Sequence, residues 1–182
     1  MQKVTILNGS PRKKGNTSAL SEIFATGLDN SKFSVDTIFL YDQMINPCTD
    51  CRVCKNGDLV CKVNDDMRNN YAKIENSNLL VFATPIYWYT PTAKMKALID
   101  RLRPFYGNKR LSGKKAVLIT PAGVGERDCD LTLNMFQRMC RALGMESIGN
   151  ITSKAYDIGE SEKDETALDA IAKLVNKINV MN

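Results

Sequence analysis

The sequence predicts an α/β fold, a three-layer α/β/α sandwich built around a five-stranded parallel sheet. Short apolar runs typical of strands alternate along the chain with segments whose apolar residues repeat at helical spacing. Two of the runs, residues 79–83 and 116–119, are continuously apolar, as expected for strands covered on both faces. A chain of 182 residues suits one domain with a substantial core, so we predict a single domain over residues 1–182.

The predicted strands differ in how apolar they are, and this difference indicates their order in the sheet. The first strand is expected at residues 4–7, and the second, residues 33–40, alternates polar and apolar side chains as a half-exposed strand does. The fifth, residues 147–152, is polar-rich and typical of an edge. Interior strands one, three and four with weak strands two and five fit the order 2-1-3-4-5 of a flavodoxin-like sheet.

The predicted helices carry apolar stripes that we assign to the core and not to function. The stripes of the three later helices are Met95, Leu98, Ile99 and Leu102; Phe136, Met139, Cys140 and Leu143; and Leu168, Ile171, Leu174, Val175 and Ile178. Cys140 is therefore expected to be a buried small hydrophobe. Cys129 lies near a helix start, where the pKa of a thiol tends to fall, but we expect it to be an idle thiol.

Composition and charge exclude several classes of protein. The net charge is +5, without the basic clusters interleaved with aromatic residues that indicate nucleic-acid binding. No apolar run is long enough to span a membrane, and the chain enters a strand at once without a signal peptide, so we expect a cytoplasmic protein. There is no histidine, which removes the Ser-His-Asp and Cys-His hydrolase mechanisms and indicates chemistry carried by a cofactor.

A polar, turn-rich stretch at residues 8–18 separates the first strand from the first helix. Gly9, Pro11 and Gly15 force the chain to turn, and small polar residues then mark the helix N-terminus. Unpaired backbone N–H groups and the positive end of the helix dipole converge there, which predicts a phosphate-binding loop. The alternative is an ordinary βα turn with a good helix cap. The stretch is neither G-x-G-x-x-G nor a P-loop, which favours a mononucleotide phosphate.

Two further loops are expected to meet this one between strands one and three, where the strand order reverses and open parallel sheets bind ligands. Residues 84–91 follow strand three and contain the only tryptophan and two of the six tyrosines of the chain in successive positions. Loops seldom expose so much aromatic surface without something to cover. Residues 120–125 follow strand four, and their small side chains would let a flat ring approach the backbone.

The first two loops resemble those of a known family. The motif Gly9-Ser10-Pro11-Arg12 with Gly15-Asn16-Thr17, then Thr84-Pro85-Ile86-Tyr87-Trp88 and the helix at residues 93–101, is similar to the NADPH-dependent FMN reductase branch of the flavodoxin-like superfamily. The resemblance implies a flavodoxin-like FMN-binding domain. It implies that the FMN phosphate is held by Ser10, Arg12, Asn16, Thr17 and Ser18, that the ribityl chain and isoalloxazine are lined by Pro85, Ile86, Tyr87 and Trp88, and that the pyrimidine side is approached by Ala122 and Gly123.

Four of the six cysteines lie in a cysteine-rich loop at residues 46–62, with the spacing C-x2-C-x2-C-x6-C. The iron–sulfur flavoproteins of the same branch carry a compact motif of this kind. The resemblance therefore implies a [4Fe–4S] cluster, whose ligands would be Cys48, Cys51, Cys54 and Cys61. Free thiols and a tetrahedral zinc site are the alternatives.

The resemblance implies an NAD(P)H-dependent oxidoreductase in which reduced nicotinamide passes electrons through bound FMN to an acceptor, and no residue is assigned as a catalytic acid or base. The alternative is an iron–sulfur flavoprotein that carries electrons between FMN and a ferredoxin-like partner. A structural or redox-sensing role of the cysteines is a third hypothesis. The expected partners are a small-molecule acceptor or a ferredoxin-like protein, with no nucleic acid and no membrane. By analogy with single-domain reductases, we expect a homodimer or homotetramer.

Overall fold

The predicted strands form one parallel sheet. In the computed structural model of the chain, which describes residues 1–56 and 59–181, they are β1 (Gln2–Asn8), β2 (Phe33–Phe39), β3 (Leu79–Ala83), β4 (Lys115–Ala122) and β5 (Glu146–Lys154). Their order is β2-β1-β3-β4-β5, and neighbouring strands are parallel throughout. The predicted fold class and strand order are therefore confirmed.

Helices cover both faces of this sheet. They are α1 (Asn16–Gly27), α2 (Met67–Glu75), α3 (Ala93–Asp100), α4 (Arg103–Asn108), α5 (Asp130–Leu143) and α6 (Glu165–Val180). Because successive side chains of a strand point to opposite faces, Leu80 and Phe82 of β3 pack with α2 to α5, whereas Val81 packs with α1 and α6. Within the described ranges, no helix is both long and apolar enough to cross a membrane.

The helices depart from the sequence-based prediction in two places. The sequence gives little sign of α2, because that helix is mostly polar and buries only Met67, Asn70 and Ile74. The stripe at residues 95–102 predicts one helix, but α3 ends at Asp100 and α4 begins at Arg103. Pro104 explains the break, because a proline ring clashes with the carbonyl group four residues earlier and cannot donate a hydrogen bond to it.

The fourth strand is longer than its apolar run indicates. The sequence predicts a loop from residue 120, but β4 continues through Pro121 and Ala122. The edge strand β5 pairs with it along its whole length, and the N–H of Ala155 then donates to the carbonyl oxygen of Ala122 at 2.9 Å. This extension brings the segment that follows β5 to the carboxyl edge of the sheet, beside the loops that follow β1 and β3.

Candidate functional site

A crevice of about 350 Å³ opens at the carboxyl edge of the sheet, among the loops that follow β1, β3 and β4. Its volume lies in the range of small-molecule sites, roughly 300–1,000 Å³. The predicted site residues that line it are Ser10, Arg12, Asn16, Thr17, Pro85, Ile86, Tyr87, Ala122 and Gly123. The lining also includes Gly15, Pro121 and Val124, which lie within the predicted loops, and three residues outside those loops: Asp128, Ala155 and Tyr156. Ser18 and Trp88 are not part of this lining.

Buried Asn8, the last residue of β1, holds the first loop in shape. Its Oδ1 accepts a hydrogen bond from the backbone N–H of Ser10 at 2.9 Å, and its Nδ2 donates to Oγ of Ser18 at 3.0 Å. The hydroxyl groups of Ser10 and Ser18 in turn donate to the carbonyl oxygen of Arg12, each at 3.2 Å. The two serines therefore brace the loop from within, and Asn8 connects the end of the strand to the start of α1.

The groups that remain open to an anion lie at the N-terminus of α1. In the described part of the chain no side chain caps this helix, and the first N–H groups of a helix have no partner within it. Thr17 and Gly15 line the crevice at this point, and the exposed side chain of Arg12 stands on the same wall. Helix dipole, amide donors and guanidinium all favour a phosphate here.

Asn16 bonds to a segment that comes much later in the sequence. Its Nδ2 donates to the carbonyl oxygen of Asp157 at 2.9 Å, and its Oδ1 accepts from the N–H of Gly159 at 2.9 Å. The N–H of Ser161 lies 3.4 Å from the same oxygen. Asn16 therefore lies in the crevice wall, but its amide group bonds to residues 157–161.

The second loop forms a two-stranded hairpin, Ile86–Tyr87 with Thr90–Pro91, whose turn consists of Trp88 and Tyr89. Both turn residues have positive φ, +50° and +66°. A type I′ hairpin turn needs positive φ at both positions and ordinarily uses Asn and Gly there, because bulky side chains are strained in this region. Trp88 is 91% exposed at the tip. The hairpin therefore presents aromatic surface at a cost in backbone strain.

Replacing this turn by the residues that its geometry prefers should stabilise the protein. We expect the double substitution Trp88→Asn and Tyr89→Gly to raise the free energy of unfolding by about 1–2 kcal/mol, because it relieves backbone strain at two positions whose side chains are exposed. Urea denaturation followed by circular dichroism measures the change. An unchanged or lower stability would show that the aromatic turn is not strained.

The third wall of the crevice consists of the end of β4 and the segment after β5. Ala122 is 4% exposed, and Gly123 follows it at the surface of the crevice. A Cβ atom added at Gly123 would lie 2.9 Å from Cδ2 of Tyr156, so only glycine accommodates the tyrosine ring against the backbone here. The small residues predicted for a close approach of a flat ring are therefore present, and an aromatic side chain already lies beside them.

The four clustered cysteines line a second, much smaller cavity, of about 20 Å³, together with Arg101 and Arg103. Burial and then the neighbouring thiol of Cys61 raise the pKa of Cys54. Among the described residues, no three Cys, Asp or Glu side chains are arranged to hold a metal ion. Four thiols suit a thiophilic metal group by their chemistry, but in this arrangement their sulfur atoms would have to draw together to bind one.

The segments that flank the cysteine-rich loop meet at a buried ion pair. The guanidinium of Arg101 donates to both carboxylate oxygens of Asp65, at 2.7 and 3.1 Å, and to the carbonyl oxygen of Asn46 at 2.9 Å. The N–H of Asn46 donates to Asp65 at 2.9 Å. Just outside this pair, the N–H of Met44, two residues before Asn46, donates to the carboxylate of Asp66, the residue after Asp65, at 2.7 Å. These contacts close the loop at its base.

Cys129 and Cys140 take no part in either cavity. Both are buried, and burial raises the pKa of Cys129 to about 11 and of Cys140 to about 12. For Cys129, three nearby carboxylates add to the effect, so the start of the helix does not lower its pKa. The prediction that Cys140 is a buried small hydrophobe is confirmed. Cys129 stays protonated at neutral pH and is not positioned as a nucleophile.

The larger crevice combines open N–H groups at the start of α1, which favour an anion, with aromatic side chains and exposed backbone. This combination suits a flat aromatic group that carries a phosphate tail.

A family model described as NADPH-dependent FMN reductase matches residues 2–156. An iron–sulfur flavoprotein of Archaeoglobus fulgidus is 34% identical over 151 residues, 82% of this chain and 66% of that protein. One of Methanosarcina thermophila is 27% identical over 183 residues, 97% of this chain and 93% of that protein.

A solved structure shows the same fold. The FMN-dependent NADH-azoreductase of Bacillus anthracis, determined in complex with FMN, superposes with a TM-score of 0.72 at 14% identity. The match covers 98% of this chain and 100% of that one. At so low an identity, the likeness concerns the arrangement of strands and helices and not the residues of the site.

Proposed function

Because the chain belongs to the NADPH-dependent FMN reductase family, we propose that it is an oxidoreductase that binds FMN in the 350 Å³ crevice and passes electrons from reduced nicotinamide to an acceptor. One observation carries this proposal: a single crevice contains both the N-terminus of α1, which no described side chain caps, and Gly123, whose lack of a side chain lets a ring lie against the backbone. The acceptor is a small molecule of the quinone type.

The crevice residues supply binding and orientation. The amides at the start of α1, the hydroxyl of Thr17 and the guanidinium of Arg12 would hold the phosphate of FMN, where helix dipole and charge would add to the hydrogen bonds. Pro85 and Ile86, which line the crevice, would contact the ribityl chain of FMN, and Ala122 and Gly123 would contact its ring system. FMN supplies the electron-transfer chemistry when it is bound.

Purified protein tests the proposal directly. We expect a flavin absorbance spectrum, or stoichiometric uptake of added FMN by protein isolated without it, and oxidation of NADH or NADPH when a quinone is present. A colourless protein that takes up no FMN at high micromolar concentration would overturn the proposal. Comparing NADH with NADPH at equal concentration would identify the preferred nicotinamide.

A second candidate function is electron transfer through a [4Fe–4S] cluster held by Cys48, Cys51, Cys54 and Cys61. The four thiols line one cavity, and Nε of Arg101 in its wall is buried without a hydrogen-bond partner among the described residues. A cluster of thiolates would offer that group an acceptor. The relatives named iron–sulfur flavoproteins agree with this candidate.

Iron, zinc and acid-labile sulfide analysis of protein purified without oxygen distinguishes the possibilities for the cysteines. A cluster predicts about four irons per chain, lost in Cys51→Ser and Cys54→Ser, together with slow turnover of NAD(P)H. Zinc without sulfide, or neither metal, would instead support the tetrahedral site or free thiols. A ferredoxin-like partner and assembly into a homodimer or homotetramer remain predictions that electron-transfer assays and light scattering would test.

A further inference from the structure

We propose that Tyr156 contacts the bound cofactor, and that Asn16 is a positioning residue which acts through the segment 155–161 instead of holding the phosphate. The proposal rests on the proposed function, because it assumes that the crevice binds FMN. It assigns a role to residues that follow the last strand of the sheet and lie outside the three predicted loops.

Tyr156 presents an open aromatic face to the crevice, beside Gly123. It lines the crevice while its side chain remains 80% exposed. The edge of its ring lies against the backbone of Gly123, where a Cβ atom would come within 2.9 Å of Cδ2. A flat ligand that approaches Gly123 must therefore either displace this ring or pack against it, and aromatic rings attract one another in such packing.

The backbone beneath Tyr156 is held in place by Glu160. The N–H groups of Tyr156 and Asp157 donate to the same carboxylate oxygen of Glu160, at 2.7 and 3.1 Å. These two hydrogen bonds hold the pKa of Glu160 below its usual range. The segment makes a tight turn at Gly159, whose φ is +88°. Tyr156 is therefore an exposed side chain on a fixed backbone, which is what a contact residue needs.

Asn16 ties this segment to the first turn of α1. Its Nδ2 donates to the carbonyl oxygen of Asp157, and its Oδ1 accepts from the N–H of Gly159, both at 2.9 Å. Both ends of the amide group are thus engaged with the segment. One side chain thus joins the start of α1 to the segment that carries Tyr156, so a change at Asn16 should alter the position of Tyr156.

Binding of FMN and of riboflavin, which has the same ring system and no phosphate, separates the two possible roles of Asn16. We expect Tyr156→Ala to weaken the binding of both ligands by about tenfold, and Tyr156→Phe to restore it. Asn16→Ala should weaken both by the same factor and have a smaller effect in the Tyr156→Ala background. Tyr106→Ala, at an exposed tyrosine of α4, is the matched control and should leave both affinities unchanged.

The measurements are flavin fluorescence titrations, with circular dichroism to show that each variant is folded. Glu160→Ala is a second way to release the backbone of Tyr156, because Glu160 is exposed and its carboxylate accepts the hydrogen bonds that hold that backbone. This variant should also weaken the binding of both ligands equally. Loss of FMN affinity with unchanged riboflavin affinity in Asn16→Ala would overturn the positioning role. Wild-type affinities in Tyr156→Ala would overturn the contact. Failure of the unaltered protein to bind FMN would instead overturn the proposed function.

Discussion

Replacing Asp65 by asparagine is expected to lower the free energy of unfolding by about 3–5 kcal/mol, because it leaves the guanidinium of Arg101 buried without a counter-charge. The two side chains are 0% and 1% exposed, and they share two hydrogen bonds of 2.7 and 3.1 Å. Urea denaturation measures the loss. The matched control is Asp100→Asn, which breaks the half-exposed pair with Lys96 and should cost under about 1 kcal/mol. Equal losses in the two variants would contradict the expectation.

The same ion pair predicts a pH dependence of stability. Burial alone would raise the pKa of Asp65, but hydrogen bonds from Arg101 and from the backbone of Asn46 outweigh it and hold the pKa below the ordinary 3.8. A carboxylate whose pKa is lowered by folding stabilises the protein above its unfolded pKa, and that contribution is lost as the pH falls through its folded pKa. The stability difference between wild type and Asp65→Asn should therefore shrink below about pH 3.8.

Replacing Asn8 by alanine is expected to weaken FMN binding by about tenfold or more. Asn8 bonds the N–H of Ser10 and the hydroxyl of Ser18, and it touches the phosphate loop without lining the crevice. Each polar group left buried without its partner costs about 1–3 kcal/mol. Every 1.4 kcal/mol of that cost that is needed to hold the loop in its binding conformation lowers the affinity for FMN about tenfold. Fluorescence titration of the apo-protein with FMN measures the effect.

A second asparagine that bridges two segments provides the control for this prediction. Nδ2 of Asn179 donates to the carbonyl oxygen of Gly27 at 3.0 Å, and its Oδ1 accepts from the N–H of Asp29 at 3.0 Å. It lies near the end of α6, away from the crevice residues. Asn179→Ala should lower stability while leaving FMN affinity unchanged. If both variants changed affinity alike, the effect of Asn8 would be one of general stability.

The sheet could be predicted from the sequence because burial leaves a direct pattern in strand composition. The continuous apolar run of β3 and the polar-rich character of β5 correctly indicated an interior and an edge position. Strand order then located the crevice, since its position follows from where the order reverses. The ends of the strands and helices were harder to predict from the sequence. Pairing with β5, for example, extends β4 through Pro121, a residue whose local preference is for a turn.

The contribution of the last segment to the crevice could not be read from local sequence. The hydrogen bonds of Asn16 reach residues more than 140 positions away, and no periodicity records such a contact. One signal was available: Tyr156 follows the carboxyl end of a strand at the same edge of the sheet, where ligands of this topology bind. Asn46 and Asp65 hold together the two segments that flank the loop of the four thiols, and the cysteine spacing alone does not specify this contact.

The closed base of the cysteine-rich loop has an evolutionary consequence. Asn46, Asp65 and Arg101 join the segments that flank the loop through contacts that use none of its cysteines. We therefore expect the sheet to tolerate a change in the length of the loop or a loss of its cysteines. Insertions in a loop whose ends are fixed cost little free energy. Related proteins could thus gain or lose the cysteines of this loop during evolution while the sheet and its crevice stay the same.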